Sequence, residues 1–160
     1  MKGLIKNHSY LMVLAFLYTI GCSSCGQVEV FEKNTPFVKH EWRSIDTAKG
    51  VFNISDTSSV YNIYIVLRHT DAYKYNNIWL LAGIQQPGDS MHYQKVNLSL
   101  GDDANGWEGS GMNDIWEVRK PFGYYKFSKK GDYRFSLTNI MRDDPLLHMM
   151  SAGMRVVKAN

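Results

Sequence analysis

Cysteine is scarce in this chain: two occur in 160 residues, both in one run, Cys22-Ser23-Ser24-Cys25. A CxxC pair acting as a redox centre needs a βαβ surround, which the residues around it do not offer. Haem attachment needs a histidine after the second cysteine, where Gly26 stands. A zinc site needs a second pair of ligands, and none accompanies this one. Also absent are a glycine-rich phosphate loop, an HExxH, a GxSxG and an EF-hand pattern. Tyr10–Ile20 (YLMVLAFLYTI) is an uncharged apolar run of eleven residues. A membrane-spanning helix needs about 20, so the run is too short to be one.

Neither sign of charge is in excess. The net charge is +3, yet Lys2 and Lys6 precede Cys22 and no acid does. Loss of that segment leaves sixteen basic against fifteen acidic groups. A balance this even offers no electrostatic footprint for nucleic acid.

What is present begins with a secretion signal. A short basic region, the apolar run and small Gly21 form a signal-peptide pattern. Thr19-Ile20-Gly21-Cys22 resembles the bacterial lipobox, with Thr19 in the place usually held by Leu. That resemblance implies a diacylglycerol on Cys22, which becomes the new N-terminus; Cys25, preceded by Ser23 and Ser24, is the second choice. Several acyl chains hold a protein durably on a bilayer where one does so only marginally. The expected organisation is a signal peptide over residues 1–21, a lipidated tether over 22–39 and a β-sandwich domain over 40–160. Beyond the lipid on Cys22, no cofactor or metal is expected.

Aromatic residues make up 13% of the chain, with ten Tyr and four Trp, and such side chains suit a pleated, half-buried surface. Val60–Leu67 (VYNIYIVL) alternates with period two, placing Tyr61, Ile63, Ile65 and Leu67 on one face. Further strands are expected at residues 51–54, 77–84, 91–100, 115–119, 133–138 and 153–157, with a short one inside the tether at 28–31. Pro87-Gly88-Asp89-Ser90 reads as the turn of a hairpin. One helical turn is expected at Asn139–Asp144. Turn signals every eight to twelve residues fit an all-β, mainly antiparallel fold, a single β-sandwich behind the tether.

Candidate chemistry is thin. His69 and Asp71 share a predicted loop, but such a pair is ordinarily just solvated. Asp114 and Glu117 suggest the paired carboxylates of glycoside hydrolysis, yet residues three apart in a strand point to opposite faces. The structural reading has Asp114 supporting a glycine-rich turn, Trp116 packing inward and Glu117 facing solvent. Asp102 and Asp103 lack the further spaced oxygen ligands that calcium needs. Tyr73, Tyr75, Trp107, Tyr124 and Tyr125 sit in or near predicted loops, as a sugar-binding platform would require. Sealing the ends of a sandwich is the plainer use for them.

Beside the lipobox stand Tyr61-Asn62-Ile63-Tyr64-Ile65-Val66-Leu67-Arg68, Trp79-Leu80-Leu81 and Gly109-Ser110-Gly111-Met112-Asn113-Asp114-Ile115-Trp116-Glu117. With Gly131-Asp132-Tyr133-Arg134-Phe135, Met141-Arg142 and Gly153-Met154-Arg155-Val156, they resemble the gliding-motility lipoprotein GldH family of the Bacteroidota. The resemblance implies a non-enzymatic envelope lipoprotein that supports gliding and the associated type IX secretion. It implies no catalytic residues. Gly109, Gly111, Asp114, Trp116 and Glu117 become the candidate interaction or structural motif. Implied partners are the membrane, through the anchor, and other envelope lipoproteins or secretion and motility proteins; no small-molecule substrate is expected. Ser23 after Cys22, with no acidic stretch behind it, points to the periplasmic face of the outer membrane. The competing reading is a lipid-anchored glycan-binding module.

Overall fold

A computed structural model describes residues 29–159 of the protein. The first strands are β1 (Glu29–Pro36), β2 (Glu41–Trp42), β3 (Ala48–Ile54), β4 (Tyr61–Thr70), β5 (Asn77–Gln85) and β6 (Met91–Ser99). They are followed by β7 (Gly101–Asp102), β8 (Gly106–Trp107), β9 (Ser110–Met112) and β10 (Ile115–Tyr125). The last are β11 (Gly131–Asn139), β12 (Leu146–Leu147) and β13 (Met149–Lys158).

Two antiparallel sheets carry the domain, a five-stranded one in the order β1-β13-β4-β10-β9 and a four-stranded one in the order β3-β11-β5-β6. The alternation legible in β4 sets its inner face: Tyr61, Ile63, Ile65 and Leu67 are all buried. Register then brings Val156, Met154 and Ala152 of β13 beside Ile63, Ile65 and Leu67, with Val118 of β10 on the other side of Leu67. Phe52, Ile54, Tyr133, Phe135, Leu137, Ile78 and Leu80 face them from the second sheet in one continuous core. Each such buried side chain contributes about 1.5–3 kcal/mol. No cysteine lies between residues 29 and 159, so packing and hydrogen bonds hold this sandwich without a disulfide.

Residues 29–36, placed in the tether with a short strand expected only at 28–31, form a strand paired with β13 as far as Pro36↔Ser151. Their inward positions explain why the pattern ends the strand early. Phe31 packs on the core, but Lys33 takes the next inward position, and its stem fills the space left by Gly50. A β-carbon at Gly50 would lie 3.0 Å from Lys33 Cδ and 2.5 Å from Phe135 Cε1. Lys33 is exposed, so a polar side chain stands where a period-two pattern expects an apolar one.

The helical turn expected at residues 139–144 does not form. Asn139 Nδ2 instead donates to the Trp42 carbonyl at 2.9 Å, and its Oδ1 accepts the Met141 N–H at 3.1 Å. Such side-chain bonds to backbone compete with helix. The same bonds tie this segment to a small clasp in which β12 pairs with β2 and Phe37 stacks on buried Trp42 with centroids 4.6 Å apart.

Candidate functional site

The glycine-rich motif builds the β9–β10 hairpin. Asn113 takes a positive φ of 56° at its tip. Gly109 has a φ of 94°, and a β-carbon there would sit 2.1 Å from the Glu117 carbonyl oxygen. Only glycine fits such a position. Gly111 lies beneath the half-buried Trp116 ring, which shares its register with buried His69. Asp114 acts through its backbone, accepting the Asp71 N–H at 2.7 Å. Glu117 lies on the outer face of the five-stranded sheet and accepts from Arg68 at 2.7 Å and Arg119 at 2.8 Å. Partial burial opposes its ionisation, but the two guanidiniums prevail and hold the carboxyl below its ordinary range. Asp114 and Glu117 are thus engaged separately, one in a turn and one in an ion triad.

His69 is buried, with Nδ1 donating to the Thr70 carbonyl at 2.8 Å and its ring 4.6 Å from that of Trp107. Desolvation lowers its pKa. Asp71 is exposed at the following turn, and no hydrogen bond joins the pair among the described residues. Asp102 spends its carboxylate on its own loop, accepting from the backbone N–H groups of Ala104 and Asn105. Asp103 is exposed, and no cluster of metal-ligating side chains occurs among the described residues. Tyr73, Tyr75 and Trp107 interlock around His69 and seal one end of the sandwich. Three of the five platform candidates are therefore packing residues. Cys22 and Cys25 lie outside the described residues.

The remaining pair leads to the site that the structure does present. Tyr124 is 80% exposed on the outer face, while Tyr125 turns into a cleft between β6 and β10. A bulge at Pro121/Gly123 makes this possible. One extra residue shifts the alternation, so Phe122 and Tyr125, three apart in sequence, stack on the same side at 6.2 Å. Tyr125 stacks in turn on Phe127 at 5.9 Å, and Phe127 meets Tyr133 at 4.5 Å. With Ile84 these rings line a cleft of about 290 Å³, rimmed by Gln86, His92, Gln94, Lys126 and Ser128. Farther along the same opening, Glu108 closes the gap, accepting from Lys120 of β10 and from Ser99 of β6 at 2.7 Å. The Lys120 ammonium, with the Ser99 hydroxyl, holds the Glu108 carboxyl below its ordinary range.

Reading the sequence alone misses this cleft for a local reason. Pro121 and Gly123 interrupt the alternation, so the strand is expected to stop at Arg119, whereas it runs on to Tyr125. Proline is tolerated because from Val118 onward β10 pairs with β4 alone among the described residues, leaving its other edge open. Chemically the cleft offers stacking area and hydrogen bonds. Its lining joins stacked rings to the polar side chains of Gln86, His92, Gln94, Lys126 and Ser128, so it is equipped to bind.

Comparison with known proteins adds an independent finding. A family model described as GldH lipoprotein matches residues 29–156. The chain is 26% identical over 136 residues to a gliding motility lipoprotein GldH homolog of Christiangramia forsetii, spanning 84% of this chain and 83% of that protein. It is 25% identical over 141 residues to the gliding motility lipoprotein GldH of Flavobacterium johnsoniae, spanning 87% of this chain and 84% of that relative.

Proposed function

The chain belongs to the GldH lipoprotein family, and on that premise we propose that it is a non-enzymatic assembly component of the envelope machinery for gliding and type IX secretion. The observation that carries this reading is the family match across nearly the whole sandwich, with relatives named as gliding motility lipoproteins. The site chemistry supports it. The cleft presents stacked rings and a polar rim suited to binding, and the candidate motif is spent on building a hairpin.

Lipid on Cys22 anchors the module, at the periplasmic face of the outer membrane. Six residues, or seven chain steps, separate Cys22 from Glu29. At about 3.5 Å per extended residue the acyl chains lie within about 25 Å of β1. Among the described residues no helix is long and apolar enough to cross a membrane. The partners are other envelope lipoproteins or secretion and motility proteins, with neither nucleic acid nor a small-molecule substrate involved. Deleting the gene is expected to impair secretion of type IX cargo, or motility where the cell glides. A deletion strain normal in both overturns the proposal.

One observation favours a second reading, a glycan-binding module: the stacked Phe122, Tyr125 and Phe127 rings beside a polar rim resemble a sugar subsite in composition. Titrating intrinsic fluorescence with peptidoglycan fragments separates the two. Saturable quenching that is lost in Tyr125→Ala supports the glycan reading, and no response supports assembly.

A further inference from the structure

The strand that borders the cleft carries the inference. β6 ends the four-stranded sheet, pairing with β5 from Met91↔Gln85 to Ser99↔Asn77 without a register shift, and among the described residues nothing pairs with its other side. Nine residues of regular, proline-free edge are an invitation to strand addition, which most folds suppress. The other edges of this fold are suppressed. β1 carries a bulge between Glu29 and Phe31, an inward-pointing Lys33 and a terminal Pro36. β3 lies against β1, and β9 has three residues. Beyond Glu117 the edge of β10 carries Pro121 and its bulge.

The direction of the free backbone groups follows from the ladder. The Leu100 N–H donates to the Asn76 carbonyl at 2.7 Å, and the Ile140 N–H donates to that of Trp79 at 3.0 Å. Even positions of β5 therefore face β6, and odd positions face β11. Across the antiparallel pair, even positions of β6 face β5. Tyr93, Lys95 and Asn97 turn their N–H and C=O groups to the open side.

An added strand would stand between two different surfaces. On one lies the aromatic cleft, bordered by His92 and Gln94. On the other lies the outer face of the sheet, where Tyr93, 55% exposed, covers Gly83 and shares a concavity with Met91, Val51, Lys49 and Arg134. Lys95 projects from the same face, opposite Leu81. None of Lys49, Lys95 and Arg134 has an acidic partner among the described residues, and the one acid on that face, Asp132, is bonded to Asn53 at 2.7 Å. The opposite sheet differs: Arg68 and Arg119 bond to Glu117, and Arg155 to Glu32 at 2.8 Å.

We propose that β6 is a docking edge for an extended segment of another envelope protein, one whose residues alternate between apolar and acidic. Its apolar side chains enter the cleft over Tyr125 and Phe127. Its acidic side chains lie over the outer face toward Lys95 and Arg134. Main-chain bonds to Tyr93, Lys95 and Asn97 give affinity, and the alternation gives register. A second copy of this chain fits less well, since two-fold pairing of β6 with itself centres on Lys95 and opposes like charges. The inference deepens the assembly role proposed above and rests on it for the existence of a partner.

The test uses the full-length lipidated protein in nanodiscs and nine-residue acetylated peptides alternating valine with aspartate or valine with lysine. Hydrogen exchange across residues 91–99 is expected to slow about tenfold with the aspartate peptide and to stay unchanged with the lysine peptide. Lys95→Glu is expected to reverse that preference, a rescue that a misfolded variant cannot show. No slowing with either peptide, equal slowing with both, or protection of 91–99 in a peptide-free dimer overturns the proposal. These outcomes leave the deletion phenotype untouched, so the docking edge and the assembly role fail separately.

Discussion

The Trp116 indole occupies the space that a side chain at Gly111 would need: a β-carbon there would lie 2.9 Å from Cη2 and from Cζ3 of the ring. Gly111 and Trp116 face each other directly across the β9–β10 hairpin. The glycine thus seats the indole, and the indole covers the hairpin.

Gly111→Val is expected to displace Trp116 and cost about 1–3 kcal/mol, the usual range for overpacking. Gly109→Ala meets backbone at 2.1 Å in addition to a positive φ, so nothing flexible can give way and the loss is expected to be larger. Urea denaturation followed by tryptophan fluorescence measures both. A Gly109→Ala midpoint equal to that of the parent would refute the account of this hairpin.

Buried His69 predicts a pH effect. Its folded pKa is lowered by desolvation, so the unfolded chain binds the proton more readily than the native one. Stability is therefore full above the unfolded value of about 6.5 and falls as pH drops below it. Urea midpoints are expected to decline between about pH 7 and pH 5, and His69→Gln is expected to flatten that decline.

Asp56 acts in a lower window. Lys158, Ser58 and Ser59 hold its carboxyl well below the ordinary range. The stability it contributes is present above about pH 4 and is lost as pH falls further. Asp56→Asn is expected to flatten the acid limb of the stability curve while leaving the His69 limb in place.

The cleft separates two aromatic neighbours. Phe127 is buried against Phe52, Tyr61, Tyr125 and Tyr133, and Phe127→Ala is expected to cost about 3–5 kcal/mol. Tyr124→Ala, on an exposed side chain, is expected to change stability by less than about 0.5 kcal/mol. Thermal and urea unfolding of the two variants check the contrast.

Anchoring has a direct measurement. Cys22→Ala is expected to abolish the acyl modification seen by mass spectrometry and release the protein from the membrane fraction. Cys25→Ala is expected to leave both unchanged. Lipid retained in Cys22→Ala would move the anchor to Cys25.

Much of the fold is legible in the sequence. The alternation in residues 60–67 and 133–138 marks strands whose apolar face enters the core, although Asn62, Val66 and Ser136 on the other face are buried too, and Pro87-Gly88 marks the turn between β5 and β6. β1 was legible only in its first residues, because exposed Lys33 takes an inward position where the pattern expects an apolar side chain. The end of β10 stayed hidden because a bulge shifts the period where Pro121 and Gly123 break it. Tyr73, Tyr75 and Trp107 were legible as aromatics near loops, but their use as a plug depends on His69, which no local pattern joins to them.

By itself the sequence determined the class of fold and the hairpin motif, since each depends on residues near one another in the chain. Only the tertiary structure decided which strand is left at an open edge and which rings line the cleft beside it. Both depend on contacts beyond the local chain, β6 with β5 alone among the described residues and Phe127 with Tyr125 and Tyr133, and sheet order is settled by the whole core at once.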